Sequence, residues 1–408
     1  RAIIAVPPAA VADVIRECGA KGIRAAQVLT AGFREAGAAG QELENQLAQA
    51  AREANVRIVG PNSIGTYCPN GRIVMSQGSP VESGSIAFVS HSGGLGRDVI
   101  HRGAVRGLRF SKVVSAGNCC DLDVPDYLEF LAIDPDTRII GLYVEGVRDG
   151  RRLLDLIRST TPTKPVVVLK GGQTELGSRA AASHTGALAS DFAVWQSVLR
   201  QCGAILADDL EDLIDILVGL ALTPLPTGRK VSLIGNGGGA TVTASDAFDR
   251  VRLWMPDFDE ITQQRLAALN LPPGTSLKNP VDAPIGTLRL NEGQVLQEIL
   301  GIILEDTQID SIVVHLNLLA ILDLAPYEIA SQYLQRMVGA VTTVGQRQKP
   351  LLLSLRSTGE DVQEQACRAE SIKAVAAGVP VYPDIPAAAR VLSKLAGYRE
   401  YLGRAGNL

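Results

Sequence analysis

Short apolar runs recur along the whole chain, each closed by glycine, proline or a small polar residue and each followed by a helical pattern. That punctuation predicts a parallel α/β protein, because parallel strands can be joined only by crossovers, usually helical. The runs Ala2–Val6, Ala25–Leu29 and Arg57–Val59 are closed by Pro7-Pro8, Thr30-Ala31-Gly32 and Gly60-Pro61-Asn62. With helices expected over Ala9–Gly19 and Ala38–Ala54, they read as the back part of a nucleotide-binding-type domain over residues 1–80. The chain runs directly from Arg1 into its first strand, which suggests that a preceding part of this domain is absent.

At 408 residues the chain is too long for one ordinary core. A second unit, residues 81–224, carries the runs Ser85–Val89, Leu108–Val114, Ile139–Val144 and Pro165–Leu169. Three of these end in Ser115-Ala-Gly-Asn118, Glu145-Gly146 and Lys170-Gly-Gly172. Carboxyl ends of parallel strands form the ligand crevice, so these tips are expected to face one site. A third unit, residues 225–408, follows the linker Thr223–Gly228 and repeats the second. Lys230–Ile234 with Gly235-Asn-Gly-Gly-Gly-Ala240 echoes Ser85–Val89 with Ser90-His-Ser-Gly-Gly94. Asp306–His315 echoes Asp136–Val144, and Lys349–Ser354 echoes Lys164–Leu169. The repeat predicts two flavodoxin-like parallel-sheet domains after the Rossmann-like one.

Aromatic residues make up only 4% of the chain and the net charge is −4, with no long basic run. Neither stacking platforms nor a phosphate-tracking surface fit that composition, so no nucleic-acid partner is expected. No apolar run reaches transmembrane length, so no membrane partner is expected either. The six cysteines are scattered without metal spacing, and the adjacent Cys119-Cys120 pair is ill suited to a disulfide. They read as thiols of a reducing cytoplasm, with no metal site.

Against this background the segment 177–190 stands out: it sets His184 between Ser183 and Thr185 among small residues. A neutral imidazole is a competent nucleophile toward phosphorus, and small neighbours let a phosphate approach or the segment move. The alternative is a small-residue loop in which the histidine is incidental. The third unit lacks this segment, so the scaffold does not require it. Two glycine turns, Ser92-Gly93-Gly94 and Gly237-Gly238-Gly239, open helices whose free amides suit an anion. Neither has the lysine ending of a P-loop, and a simple tight turn is the alternative for each. Glu145, at a strand tip, can hydrogen-bond one imidazole nitrogen and so activate the other. A loop carboxylate paired with Arg148 or Arg152 is the alternative. His91 lines the first turn, His101 reads as surface or filler, and His315 ends a buried strand as a structural residue. Ser90-His-Ser-Gly-Gly94 does not match a nucleophile elbow.

The motifs Ala5-Val-Pro-Pro8, Thr30-Ala-Gly32, Gly60-Pro-Asn62, Ser90–Gly96, Ser115–Asn118, Tyr143–Gly146, Ala182-Ser-His-Thr-Gly-Ala-Leu188, Gly235–Gly239 and Asn279-Pro-Val-Asp282 occur in one order over nearly the whole chain. In that order the chain resembles the NDP-forming acyl-CoA synthetases, relatives of succinyl-CoA synthetase. It is most similar to the alpha subunits of ADP-forming acetate–CoA ligases. The resemblance implies a CoA-binding domain and two succinyl-CoA-ligase-type domains. His184 matches the family's phosphorylated histidine and Glu145 the glutamate that supports it. Ser92, Gly93, Gly94 and Gly237 to Gly239 match two helix ends that hold the phosphate. Thr30, Ala31 and Gly32 match a CoA-contacting turn, and Pro7, Asn62, Ser115 and Asn118 join that set. Arg97 falls where the acyl substrate is approached.

The implied reaction joins a small carboxylic acid to CoA with ATP hydrolysed to ADP and phosphate, through an acyl phosphate and a phosphohistidine. ATP, ADP and Mg would bind an ATP-grasp beta subunit or fused domain, in a homo- or hetero-oligomer. Departures from the family are His91, where relatives often carry Gln, which is expected to bear on the acyl pocket, and Gln173, where Arg is frequent. The competing functions are a CoA- or acyl-CoA-sensing regulatory domain of a protein lysine acetyltransferase, and a scaffold in another metabolic complex.

Overall fold

The computed structural model describes residues 1–74, 77–179, 191–345 and 349–406. Among the described residues the strands form three sheets. The first is parallel, in the order β1-β2-β3, from Ala2–Ile4, Ala25–Val28 and Arg57–Val59. Helices Pro8–Ala20 and Ala38–Ala54 cover it, packing Val11, Ile15 and Leu47 on Val28 and Ile58. The second helix stops at Asn55, which takes the left-handed conformation that ends many helices.

The second sheet contains β4 (Thr66–Tyr67), β5 (Ile86–Ser90), β6 (Phe110–Ser115), β7 (Ile139–Val144), β8 (Val166–Lys170) and β9 (Ile205–Ala207). Its order is β4-β6-β5-β7-β8-β9, with only β4 antiparallel. Every residue of β5 and β8 is buried, as expected for parallel strands covered by helices on both faces. Each fully buried Val or Leu here contributes about 1.5–3 kcal/mol. The third sheet has the order β11-β10-β12-β13-β14, from Val281–Asp282, Val231–Gly235, Ser311–Asn317, Leu351–Arg356 and Val381–Tyr382. Without β4, the second sheet runs through the same parallel order as the third, which is the flavodoxin-like arrangement. The expected fold class and the internal repeat are both present.

The chain divides into two compact units, Arg1–Ala104 with Leu108–Leu217, and Val105–Gly107 with Val218–Leu408. Within the first unit a stretch of loop joins the first two sheets. The N–H groups of Asn118, Cys120 and Leu122 donate to the carbonyls of Pro61, Gly60 and Ile58 at 2.9, 3.1 and 3.4 Å. Asp121 closes the seam by accepting from the Ile58 N–H at 2.8 Å and from Arg57 Nε at 2.9 Å. Gly117 is required at its start: its φ is +61°, and a Cβ there would lie 2.1 Å from the Pro61 oxygen. No helix among the described residues is long and apolar enough to cross a membrane.

Candidate functional site

Strand register sets the site. Ser90 of β5 pairs with Ser115 of β6 and Tyr143 of β7, and Val144 pairs with Lys170 of β8. The next residues, His91, Ala116, Glu145 and Gly171, therefore emerge along one edge of the sheet. The three strand tips expected to face one site lie along the same edge, with the end of β5 between those of β6 and β7.

Glu145 is buried just beyond the end of β7, where the ladder no longer supplies its partners. Side chains from its own and the neighbouring strands hold it instead. Tyr143 Oη donates to Glu145 Oε1 at 3.0 Å. The Glu145 N–H donates to His91 Nδ1 at 3.1 Å, and Lys170 Nζ donates to the Glu145 carbonyl at 2.9 Å. Lys170 is 3% exposed, also donates to the Gly171 carbonyl, and lies 5.3 Å from the centre of the Trp195 ring. Burial lowers the Lys170 ammonium below the ordinary lysine value, with Glu145 pulling the other way. Burial, then the neighbouring carboxylate, raises the Tyr143 phenol. The charge of Lys170 thus sits beneath the edge that carries Glu145. His184 lies outside the described residues.

The first glycine turn follows β5. Ser90 Oγ accepts from the Ser92 N–H at 3.1 Å and donates to the Ser92 carbonyl at 2.6 Å, shaping the entry to helix Gly93–Val105. Gly94 and Arg97 are exposed on its first turns. His91, in contrast, turns inward: its side chain is 7% exposed and its Nδ1 is committed to Glu145.

The residues expected at CoA separate into two groups. Pro7 and Ala31 are exposed, and Thr30, Gly32 and Asn62 are half-buried. Thr30 Oγ1 donates to the Val6 carbonyl at 2.7 Å, which ties the second strand tip to the first. Glu35 accepts from the N–H groups of Gly32 and Phe33 at 2.6 and 3.1 Å. Burial raises its carboxyl, but the Asn118 amide and these N–H groups outweigh it and hold the group below its ordinary range. Ser115 and Asn118 are buried. Ser115 Oγ accepts from the Ile64 N–H at 3.1 Å, and Asn118 Nδ2 donates to Glu35 at 2.5 Å and Glu44 at 2.8 Å. Both side chains hydrogen-bond within the protein.

In the second unit, Gly237 has a φ of +112° and opens helix Gly238–Arg250. Its N–H donates to Asp282 Oδ1 at 3.1 Å, and Asn236 Oδ1 accepts from the Asn317 N–H at 3.0 Å. Nothing lies within 4 Å of where a Cβ of Gly239 would be, so this turn is open.

Among the described residues His91, Cys119 and Asp123 are the group whose possible metal-ligand atoms converge, all within 4.8 Å of one another. Their hydrogen bonding speaks against a metal. Because Nδ1 of His91 accepts the Glu145 N–H, the ring proton sits on Nε2 and occupies the lone pair a metal would need. Metal-bound imidazoles usually donate from their other nitrogen, whereas this one accepts. Cys119 is raised well above the ordinary thiol value, by burial first and then by Asp123, so it is a thiol rather than a thiolate. Burial also opposes ionisation of Asp123, but the facing His91 and the N–H groups of Arg148 and Val124 outweigh it and hold its carboxyl at about 2. At 3.9 Å, Nε2 is too far from Asp123 Oδ1 for a hydrogen bond and acts through the field of its N–H.

Sequence reasoning singled out Glu145 but not its supports, His91, Tyr143 and Lys170. The signal was the strand register, which places those residues beside Glu145.

A family model described as "Succinyl-CoA ligase like flavodoxin domain" matches residues 83–220, and one described as "CoA binding domain" matches residues 2–69. The alpha subunit of acetate–CoA ligase [ADP-forming] I of Pyrococcus furiosus is 33% identical over 395 residues, 97% of this chain and 81% of that protein. The alpha subunit of the same organism's enzyme II is 35% identical over 312 residues, 76% of this chain and 67% of that protein. The solved structure of Ca. Korarchaeum cryptofilum dinucleotide forming acetyl-coenzyme A synthetase 1, in complex with phosphate and ADP, is similar with a TM-score of 0.83 at 30% identity. That likeness covers 99% of this chain and 84% of the other.

Proposed function

Since this chain belongs to the family of ADP-forming acetate–CoA ligase alpha subunits, we propose that it carries the CoA and phosphohistidine half of an NDP-forming acyl-CoA synthetase. The overall reaction is acid + CoA + ATP ⇌ acyl-CoA + ADP + phosphate. In the direction of ATP formation, a phosphate oxygen attacks the thioester carbonyl and CoA leaves as the thiol. The resulting acyl phosphate gives its phosphoryl group to an imidazole nitrogen of His184, and the carboxylate leaves. The phosphoryl group then passes to ADP at an ATP-grasp subunit or domain, which supplies the nucleotide and Mg.

The observation that carries this reading is the three-sided support of Glu145 beside the Ser92–Gly94 turn. A carboxylate fixed by Tyr143, His91 and Lys170 is suited to hold one nitrogen of the imidazole and to stabilise the charged phosphorylated ring. The amides of Gly93 and Gly94 would take the phosphoryl oxygens beside the Ser92 side chain, and Lys170 adds positive charge without competing as an exposed cation. In the second unit Gly238 and Gly239 would offer donors of the same kind, with Gly237 shaping the turn through its N–H to Asp282. Pro7, Thr30, Ala31, Gly32 and Asn62 would contact CoA, and Arg97 the acyl group.

The test is transfer of label from [32P]orthophosphate in the presence of a panel of acyl-CoA thioesters beginning with acetyl-CoA, and from γ-labelled ATP with the ATP-grasp partner. Acid-labile, base-stable label in the wild type that is lost in His184→Ala is the expected result. Equal label in the variant overturns the assignment of His184. Tight CoA binding with no label by either route favours the sensing module.

A further inference from the structure

We infer that His91 is the positioning residue for Glu145, a role that rests on the function proposed above. Glu145 stands one residue past the end of β7, so its buried N–H has no partner in the strand ladder. His91 Nδ1 supplies that partner at 3.1 Å. On the other side of the same residue, Lys170 Nζ holds the carbonyl at 2.9 Å. Both main-chain polar groups of Glu145 are therefore fixed by side chains, and the direction of its carboxylate depends on them.

His91 is itself fixed. Accepting at Nδ1 leaves the proton on Nε2, which faces Asp123 Oδ1 across 3.9 Å. That carboxylate cannot drift. It accepts from the Val124 N–H at 2.7 Å and from the Arg148 N–H at 3.0 Å, and the Asp123 N–H is held by Asp126 at 2.8 Å. The cap of helix Val124–Ile133 is thus connected through one imidazole to the main chain of the glutamate. The dipole of Asp123 with Nε2–H also favours the tautomer in which Nδ1 accepts, the one that can hold Glu145.

Two variants separate positioning from bulk. His91→Phe keeps a ring of similar size and removes the acceptor. His91→Asn places an amide oxygen near the position of Nδ1 and loses the ring. Each is compared with the wild type for the single-turnover rate of His184 phosphorylation from acetyl-CoA and [32P]orthophosphate, for CoA affinity by calorimetry, and for amide hydrogen exchange at Glu145. We expect His91→Phe to slow phosphorylation about 10- to 100-fold, the range for a buried donor left unpaired. CoA affinity should stay within about twofold, because the hydrogen bond that is changed is to Glu145 and not to the Thr30–Gly32 turn. Glu145 amide exchange should accelerate by a similar factor to the loss in rate. His91→Asn should recover most of both the rate and the protection.

A wild-type rate in His91→Phe, or a His91→Asn as slow as the phenylalanine variant at equal CoA affinity, overturns the inference. A wild type that takes no label refutes the functional reading instead. In that case the exchange comparison still decides whether His91 clamps Glu145, and unchanged protection in His91→Phe refutes the clamp.

Discussion

His315 gives the second unit a pH dependence that can be calculated from its surroundings. The residue lies in β12 and is 2% exposed. Its Nδ1 shares a hydrogen with Ser354 Oγ at 3.1 Å, while Nε2 is buried without a hydrogen-bond partner. An imidazolium would leave that second N–H unsatisfied in an apolar sheet. Burial, and then the nearby Arg356, depress its pKa from 6.5 to about 4, with Asp384 opposing. Because the folded value lies below the unfolded one, the unfolded chain binds the proton first as pH falls. The stability contributed by the neutral ring is complete above about pH 7 and is lost between about pH 6.5 and pH 4. The separation corresponds to about 3 kcal/mol in total, of which about 2 kcal/mol is gone by pH 5. Urea unfolding at pH 7, 6 and 5 measures it, in a Trp195→Phe background where Trp254 fluorescence reports on the second unit. His315→Asn cannot titrate, so its stability should fall less with pH than that of the parent, by about 2 kcal/mol over this range. Parallel pH dependences, agreeing to within about 0.5 kcal/mol, would refute a neutral buried histidine.

Two other perturbations probe the first unit. Gly117→Ala forces a side chain into a left-handed position 2.1 Å from the Pro61 oxygen. It should cost more than about 2 kcal/mol and lower the unit's melting temperature by at least about 4 °C in calorimetry. Lys170→Met keeps the length of the side chain but abandons the carbonyls of Glu145 and Gly171. Phosphohistidine formation should fall at least about 10-fold in the labelling assay, and a wild-type rate would remove Lys170 from the support of Glu145.

The strands were legible because a parallel strand covered on both faces is a continuous apolar run with a polar stop. Their ends were less so. Ser90, Ser115 and Lys170 read as loop yet complete their strands, because carboxyl-end residues still belong to the ladder. Within the repeat Asp306–His315 the strand starts at Ser311, after Asp306 has turned to accept from the N–H groups of Gln308 and Asp259. The two-residue strands β4, β11 and β14 left no pattern long enough to see. At the site, the types of residue were visible and their directions were not. A run buried on both sides has no alternation to say which way the residue after it points, so His91 read as lining the turn rather than reaching Glu145. Asn118 looks like an exposed loop polar in a sequence, but a seam of loop against loop buries it, and Ser115 is buried at the end of β6. No periodic signal announces such a seam.

That seam has a consequence for how such chains can be recombined. From Ile58 to Pro61 and from Asn118 to Leu122 the two sheets are joined mainly by peptide groups, which every sequence carries. A first domain grafted from a relative need match its host at only a few side chains. Among these are Arg57 with Asp121, Gln27 with Thr66, and Arg34, Glu35, Glu44 and Asn62 around Asn118, together with Cys120 against the core of the first sheet. Chimaeras with a junction in the stretch between the two sheets should then exchange CoA-binding surfaces while the edge that holds Glu145 stays native.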